Sequence, residues 1–383
     1  MKRGGSIEPD PPVSPDRPSR PHLLHIIPRF APGGAEVRTT GLINSFGPKF
    51  RHTIVSLDGD LSASERIGPS IEINYTTVTH ARNPVLAIAQ LRRLIRSYRP
   101  DLVLTYNWGS MDGFVAAAFG SGVPVIHTED GFGPEEALGQ KCRRVLTRRL
   151  ALRRAYRVIA PSRTLFDIMR NTWKLPEDRI ECIPNGIDVE TFGPGERARS
   201  FGIPPGRIVV GSVGSLTTTK RHDLLIDLCA AVGNGRKITL LIAGEGPARS
   251  ALERKAESLG LDLVLPGFQK DPRQVYRSID LFALTSRTEQ MPLSLLEAMS
   301  CALPVLSTDV GDVREMVSAE NRPFVTSDRD SLISGLATML GDEKLRQSLG
   351  AANRSRAVQH YGITRMLERY RGLYEGALRT HRG

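Results

Sequence analysis

Thr285-Ser-Arg-Thr-Glu-Gln-Met-Pro-Leu-Ser-Leu-Leu-Glu-Ala-Met299 runs from the end of an apolar strand into a helix, with a carboxylate on either side of the turn. Ahead of it, Ile279-Asp-Leu-Phe-Ala-Leu284 has the length and composition of one strand buried in a parallel sheet. Pro292 suits the first helical position, where its missing N–H costs nothing, and Leu293, Leu295, Leu296 and Met299 recur at helical spacing until Pro304 forbids continuation. Val305-Leu-Ser307 then reads as the next strand. Such a strand–helix–strand unit places its loop at the carboxyl edge of a sheet, where open α/β folds bind ligands. It also aims the free N–H groups of the helix at any anion there. Eight residues of helix turn Glu297 roughly 80° from Glu289 and carry it about 12 Å away, too far for two acids on one bond. On residues alone the two are either ordinary solvated glutamates or carboxylates that hold hydroxyls at two ends of one long ligand, with phosphates between.

Outward from this stretch the same alternation fills the chain. Strands are expected near 22–27, 52–57, 73–79, 101–105, 123–127, 157–160 and 179–183, with helices near 35–46, 84–98, 111–119, 140–154 and 163–173. A second series of strands follows near 207–213, 238–243, 261–265, 280–285, 304–307 and 322–325, and the last helices are expected near 343–358 and 364–379. Alternation of this kind specifies parallel sheets covered by helices on both faces, so the chain reads as α/β with two doubly wound, Rossmann-like domains. The expected organisation is a proline-rich disordered tail over 1–20, a first domain over 21–190, a linker over 191–206 marked by Gly193-Pro-Gly195 and Pro204-Pro-Gly206, and a second domain over 207–359. Pro184-Asn-Gly-Ile-Asp188 reads as a turn in which Asn185-Gly186 needs positive φ.

With 40% hydrophobic and 24% charged residues, the 383-residue chain is an ordinary globular composition. No apolar run approaches the roughly 18 residues of a membrane span, and the five prolines before Arg20 exclude a signal peptide there, so the cytosol is the expected compartment. Cys142, Cys182, Cys229 and Cys301 lack metal-ligand or disulfide spacing and are expected to be buried or incidental thiols. The net charge of +11 is shared evenly between the halves, with 26 basic against 20 acidic residues to position 190 and 26 against 21 beyond it. The exception is Lys141 to Arg157, which has eight positive charges and no negative one. As a helix it would bury Val145, Leu146, Leu150 and Leu152 and show Arg148, Arg149, Arg153 and Arg154 to solvent or to anionic headgroups as a peripheral membrane surface. No zinc spacing or aromatic-interleaved motif supports nucleic acid.

Three further stretches carry chemistry. In Ile208-Val-Val-Gly-Ser-Val-Gly-Ser-Leu-Thr-Thr-Thr-Lys220 a strand enters a glycine- and hydroxyl-rich loop that ends on a lysine; Gly214 allows close approach of a phosphate and Lys220 supplies a point charge. Pro32-Gly-Gly-Ala-Glu36 opens the first helix, where Gly33 and Gly34 admit a ligand and Glu36 either touches that ligand or simply caps the helix. His127 ends the strand Val123-Pro-Val-Ile-His, before Glu129 and Asp130, acids that either bind acceptor hydroxyls or line the loop.

Glu289 and Glu297 with seven residues between them, followed by Ala298-Met299 and Pro304-Val305, resemble the E-x7-E signature of glycosyltransferase family 4, whose members have the two-domain GT-B fold. Leu240-Leu-Ile-Ala-Gly-Glu-Gly-Pro-Ala-Arg249, Leu265-Pro-Gly-Phe268, Pro184-Asn-Gly-Ile-Asp188 and the stretches above are similar to the family's other segments, in its order. Two places depart: Glu129 and Asp130 stand where a second histidine often follows His127, and, although Lys220 matches the family's lysine, Ser215 stands where an arginine is usual, leaving Arg221 or Arg287 to complete the diphosphate clamp.

The resemblance implies transfer of a sugar, with retention, from a nucleoside-diphosphate sugar to a hydroxyl of a glycan or lipid-linked acceptor in cell-surface polysaccharide or lipopolysaccharide synthesis. It implies no cofactor and no metal. Donor-site residues would be Glu297 on the ribose, Lys220, Gly214 and the helix start around Met291 and Leu293 on the diphosphate, and Glu289 with His127 at the sugar. Gly33, Gly34 and Glu36 would face the cleft, and a final helix over about 360–383 would pack back on the first domain. Two alternatives are a GT-B nucleotide-sugar epimerase and a non-catalytic basic adaptor at membrane or nucleic acid.

Overall fold

The computed structural model describes residues 20–382 apart from 79–82, 133, 137–138, 197, 199–200 and 234–236. All but the last residue of the expected tail, and part of the 191–206 linker, lie outside the described residues.

The first sheet comprises β1 (His22–Ile27), β2 (Arg51–Ser56), β3 (Ile73–Thr77), β4 (Leu102–Tyr106), β5 (Val125–Thr128), β6 (Arg157–Ala160) and β7 (Ile180–Cys182). Their spatial order is β3-β2-β1-β4-β5-β6-β7, and every pairing is parallel. Its helices are α1 (Gly34–Phe46), α2 (Pro84–Tyr98), α3 (Met111–Ala118), α4 (Cys142–Ala151) and α5 (Arg163–Asn171). The second sheet has β8 (Ile208–Val213), β9 (Ile238–Ala243), β10 (Asp262–Val264), β11 (Leu281–Leu284) and β12 (Val305–Ser307), ordered β10-β9-β8-β11-β12 and also parallel. Around it lie α6 (His222–Val232), α7 (Arg249–Ser258), α8 (Arg273–Ser278), α9 (Leu293–Ser300), α10 (Val313–Met316), α11 (Arg329–Gly341), α12 (Glu343–Tyr361) and α13 (Ile363–Arg382).

Burial on both faces explains why the strands read as apolar runs. In β1, Leu24 and Ile26 join one layer of core while Leu23 and Ile27 join the other, the two-residue alternation of a strand with helices above and below. Each such side chain contributes roughly 1.5–3 kcal/mol of burial. After α12 the chain crosses back, and Met366, Tyr370, Leu373, Tyr374 and Ala377 of α13 complete the core beneath the first sheet. The two crossings touch, since Ile187 N–H donates to Tyr361 O (2.8 Å) and Ile363 N–H to Ile187 O (2.9 Å).

Several local expectations differ from the structure. Pro292 is the N-cap of α9, with extended backbone (ψ 124°), not its first helical residue. Residues 322–325 are not a strand. Ala319–Phe324 forms a 3-10 turn around Pro323, which cannot donate to a ladder, and only Val325 bridges to Ser307. The helix expected over 140–154 ends at Ala151 and continues as a 3-10 turn over Leu152–Arg154. Neither Asn185 nor Gly186 has positive φ. Gly186 is required by close approach instead, because a Cβ there would lie 2.8 Å from Ile363 Cα and 3.0 Å from Met366 Cβ of α13.

Candidate functional site

A doubly wound sheet opens a crevice where the strand order reverses, because the helices on either side leave to opposite faces. In the second domain that point lies between β8 and β11. The loops after these two strands are Gly214–Lys220 and Thr285–Pro292, so topology brings together side chains 69 residues apart. Lys220 Nζ donates to Glu289 Oε1, and Ser286 Oγ donates to the same oxygen at 2.7 Å. Both side chains keep some exposure, 27% for the lysine and 12% for the glutamate, so the pair lines the crevice. Gly214 backs the lysine stem, 3.7 Å from Lys220 Cε to where a Cβ would sit. Gly311 backs the glutamate: its φ is +54°, and a Cβ would meet Glu289 O at 2.5 Å and Gln290 O at 2.6 Å, so this turn requires glycine.

Glu297 lies in α9 on the far side of the turn, and Tyr276 Oη donates to its Oε2 at 2.6 Å. Burial pushes the Glu297 carboxyl up to about 7, a rise that the Tyr276 hydrogen bond and Arg66 only partly offset. Tyr276 precedes Glu297 by 21 residues on another helix and gives no sequence signal. Ser215 offers no charge; Arg287 is exposed, and its backbone N–H is tied to Thr219 O at 2.8 Å. Arg221 takes up a left-handed conformation (φ 51°) at the N-cap of α6.

The first domain faces this crevice with the loop that leaves β1. A Cβ on Gly34 would lie 3.9 Å from Leu293 Cδ1, so the Gly33-Gly34 turn meets the start of α9 across the cleft. Gly33 is the N-cap of α1, and no side chain caps it. Glu36 is half-buried. Burial and the neighbouring Asp130 raise its carboxyl, the Glu36 backbone hydrogen bond, Arg38 and Arg29 lower it, and the net result is about 7.

His127 is fully enclosed rather than presented to the cleft. Its Nδ1 pairs with Thr105 Oγ1 at 2.9 Å, and its Nε2 lies 3.5 Å from Glu129 Oε2. The acids that follow are committed within the protein. Asp130 takes a two-pronged ion pair from the buried Arg38, and Glu129 joins Arg148.

Arg148 overturns the expected orientation of the basic helix. It is completely buried, held by Glu136 through two bonds of 3.1 Å and by Glu129 at 3.4 and 3.5 Å. Its guanidinium lies 5.0 Å from the Trp108 ring, 4.8 Å from Trp173 and 5.6 Å from Phe132. Leu146 and Leu150, expected in the core, are 55% and 62% exposed. Arg149 and Arg153 remain outside, donating to Thr172 O and Lys174 O, and Arg154 stacks on Phe119. The outward face of α4 is therefore leucines bordered by arginines. Among the described residues, no helix is long and apolar enough to cross a membrane, and no cluster has the make-up of a metal site.

Comparison with known proteins matches the chain to two family profiles. The profile of the family described as Glycosyltransferase Family 4 matches residues 32–191, and that described as Glycosyl transferases group 1 matches 196–356. EpsF of Bacillus subtilis, which carries a glycosyltransferase name, is 26% identical over 320 residues, covering 79% of this chain and 82% of EpsF. The UDP-Gal:alpha-D-GlcNAc-diphosphoundecaprenol alpha-1,3-galactosyltransferase of Escherichia coli is 26% identical over 318 residues, 75% of this chain and 78% of its own. Among solved structures, Anabaena HepE in complex with UDP and glucose superposes with a TM-score of 0.79 at 19% identity, over 93% of this chain and 99% of HepE.

Proposed function

We propose a retaining transfer, from a nucleoside-diphosphate sugar to a hydroxyl of a glycan or lipid-linked acceptor, for this chain, which belongs to glycosyltransferase family 4 and has the GT-B fold. The observation that carries the proposal is the meeting of Lys220, Glu289 and the N-terminus of α9 at the switch point between β8 and β11, with Glu297 in the middle of that same helix. In this reading Glu297 holds the ribose, Lys220 and the α9 amides from Leu293 onward neutralise the diphosphate, and Glu289, released from Lys220, holds the hydroxyls of the sugar. Pro292 has no N–H to give, which makes Lys220 the larger contributor. The acceptor oxygen bonds to the anomeric carbon on the face that the diphosphate leaves, and its proton passes to the departing phosphate oxygen. No metal is needed, because the lysine and the helix dipole supply the positive charge; nucleotide binding that collapses in EDTA would count against this.

UDP is the first nucleotide to test, since HepE holds it. At a hundred times its Kd a ligand adds about 2.7 kcal/mol to the stability of the native state. For one domain of this size that corresponds to a rise in melting temperature of roughly 5–10 °C. We expect this rise with one of UDP, GDP, ADP, CMP or dTDP, and its loss in Glu297→Ala. No rise with any of them would remove the donor site.

The Escherichia coli relative acts, by its name, on a diphosphoundecaprenol-linked sugar, which supports a lipid-linked acceptor and a place in surface polysaccharide or lipopolysaccharide synthesis at the cytoplasmic face of a membrane. The outward face of α4 fits such a surface, with Leu146 and Leu150 as anchors and Arg143, Arg149, Arg153 and Arg154 around them. Leu146→Asp/Leu150→Asp should cut sedimentation with anionic vesicles by about tenfold or more, at about 1.5–3 kcal/mol per leucine. Sedimentation equal to that of the unaltered protein at low salt would exclude this face.

A further inference from the structure

The segment that follows Glu289 is gripped from the other domain. Ser162 Oγ, at the N-cap of α5 in the first domain, donates to Gln290 Oε1 at 2.9 Å. Gln290 O accepts from Asp312 N–H at 3.0 Å, and the Asp312 carboxylate in turn accepts the first amides of α5, from Arg163 and, at 2.9 Å, from Thr164. One residue on, Asn185 Nδ2 donates to Met291 O at 2.8 Å, and Asn185 Oδ1 accepts from Arg38 Nη1 at 3.2 Å. Arg38 is itself fixed by its ion pair with Asp130. Gln290, Met291, Ser162 and Asn185 are all buried.

We propose that Ser162 and Asn185 are positioning residues that clasp Gln290 and Met291, so that the first domain sets where Glu289 and the start of α9 stand. The physical ground is the shortness of the segment. Glu289 is separated by one residue from a carbonyl held by Asn185, and its neighbour is fixed at both side chain and main chain, so the carboxylate has little freedom to wander while the domains are together. When the domains part, the Ser162–Gln290 and Asn185–Met291 bonds break, and the Glu289 loop is released. The Arg38–Asp130 pair extends the linkage to the loop after β5, on the acceptor side of the cleft. The purpose of the clasp rests on the donor-site proposal above, whereas its contacts do not, and the test separates the two.

Asn185→Asp keeps an oxygen for Arg38 but cannot donate to Met291 O, and Gln290→Ala removes the acceptor of Ser162. Each variant loses at least one buried hydrogen bond, so amide hydrogen exchange should accelerate about tenfold in a peptide spanning 285–296, and in the double variant also around 161–165. Exchange in β8 and β11 should stay unchanged, a contrast that general loss of stability would not produce. UDP titrated by calorimetry should bind both variants about three- to tenfold more weakly than the unaltered protein, because the loosened start of α9 carries amides assigned to the diphosphate while Lys220 and Glu297 lie outside the clasp. Exchange that is unchanged at 285–296 in both variants, or that rises equally in the strands, overturns the clasp. If the unaltered protein fails to bind UDP or any other nucleotide, the donor site is refuted, and the exchange arm still decides the clasp.

Discussion

Lys220→Ala is expected to lower donor turnover, measured as nucleoside diphosphate release, by roughly two to three orders of magnitude in kcat/KM, the usual effect of removing one preorganised charge from a developing anion. With Ser215 where an arginine is usual and Pro292 lacking an N–H, this site has fewer compensating donors, which argues for the upper part of that range. Glu289→Gln should act differently, because the amide keeps the shape and one acceptor but loses the charge that pairs with Lys220. The informative quantity is the double variant. Lys220→Ala alone leaves the Glu289 carboxylate without its cation, at 12% exposure and with only Ser286 still donating to it, where it repels an incoming diphosphate. Adding Glu289→Gln removes that repulsion, so Lys220→Ala/Glu289→Gln should bind nucleotide more tightly than Lys220→Ala, and the two losses should fall short of additivity by about 1 kcal/mol or more. A Lys220→Ala enzyme within about threefold of the unaltered one would refute the assignment of Lys220 to the diphosphate.

Much of this site is legible in the chain because its parts lie at strand ends, and strands buried on both faces declare themselves as apolar runs with glycine or proline punctuation. β8 with Gly214–Lys220 and β11 with Thr285–Pro292 are each recognisable alone. What the runs do not carry is neighbourhood. That β8 and β11 are adjacent follows from the chain's return to the other side of β8 after β10, and only this adjacency turns Lys220 and Glu289 into a pair. Asn185-Gly186 shows the reverse error. Local turn chemistry suggests positive φ, but the pair is specified by what packs on it: α13 against Gly186 and the carbonyl of Met291 against Asn185. Glu129 and Asp130, open to an acceptor role on sequence, are occupied by arginines 19 and 92 residues away. Charge counting along α4 fails for a similar reason. Composition reveals how many arginines a helix carries, but an aromatic box assembled from three other segments decides which of them turns inward.

That box gives the largest expected effect on stability. Arg148→Met keeps much of the volume and apolar stem, but leaves Glu129 without its arginine and Glu136 with Arg144 alone, in a site where neither carboxylate is exposed. Breaking a buried pair from one side typically costs about 3–5 kcal/mol, so the melting temperature of the first domain should fall by roughly 6–20 °C at neutral pH. The loss should depend on pH with a definite sign. Burial alone would raise the Glu136 carboxyl, but hydrogen bonds from Arg148 and Arg144 hold it below its ordinary value. A carboxyl lowered in the folded state stabilises above its unfolded pKa and loses that contribution as pH falls through the folded value, so the gap between Arg148→Met and the unaltered protein should narrow on acidification. Adding Glu129→Gln and Glu136→Gln to Arg148→Met should recover part of the loss, because the uncompensated charge, and not the missing guanidinium, is the costly element. Should Arg148→Met prove insoluble, Arg148→Lys gives the second measurement. It keeps a charge but loses the paired geometry toward Glu136 and the flat contact with Trp108 and Trp173, and should fall between the two. A melting temperature for Arg148→Met within about 2 °C of the unaltered protein at neutral pH would mean that the arginine does not hold this region together, and that its burial needs another cause.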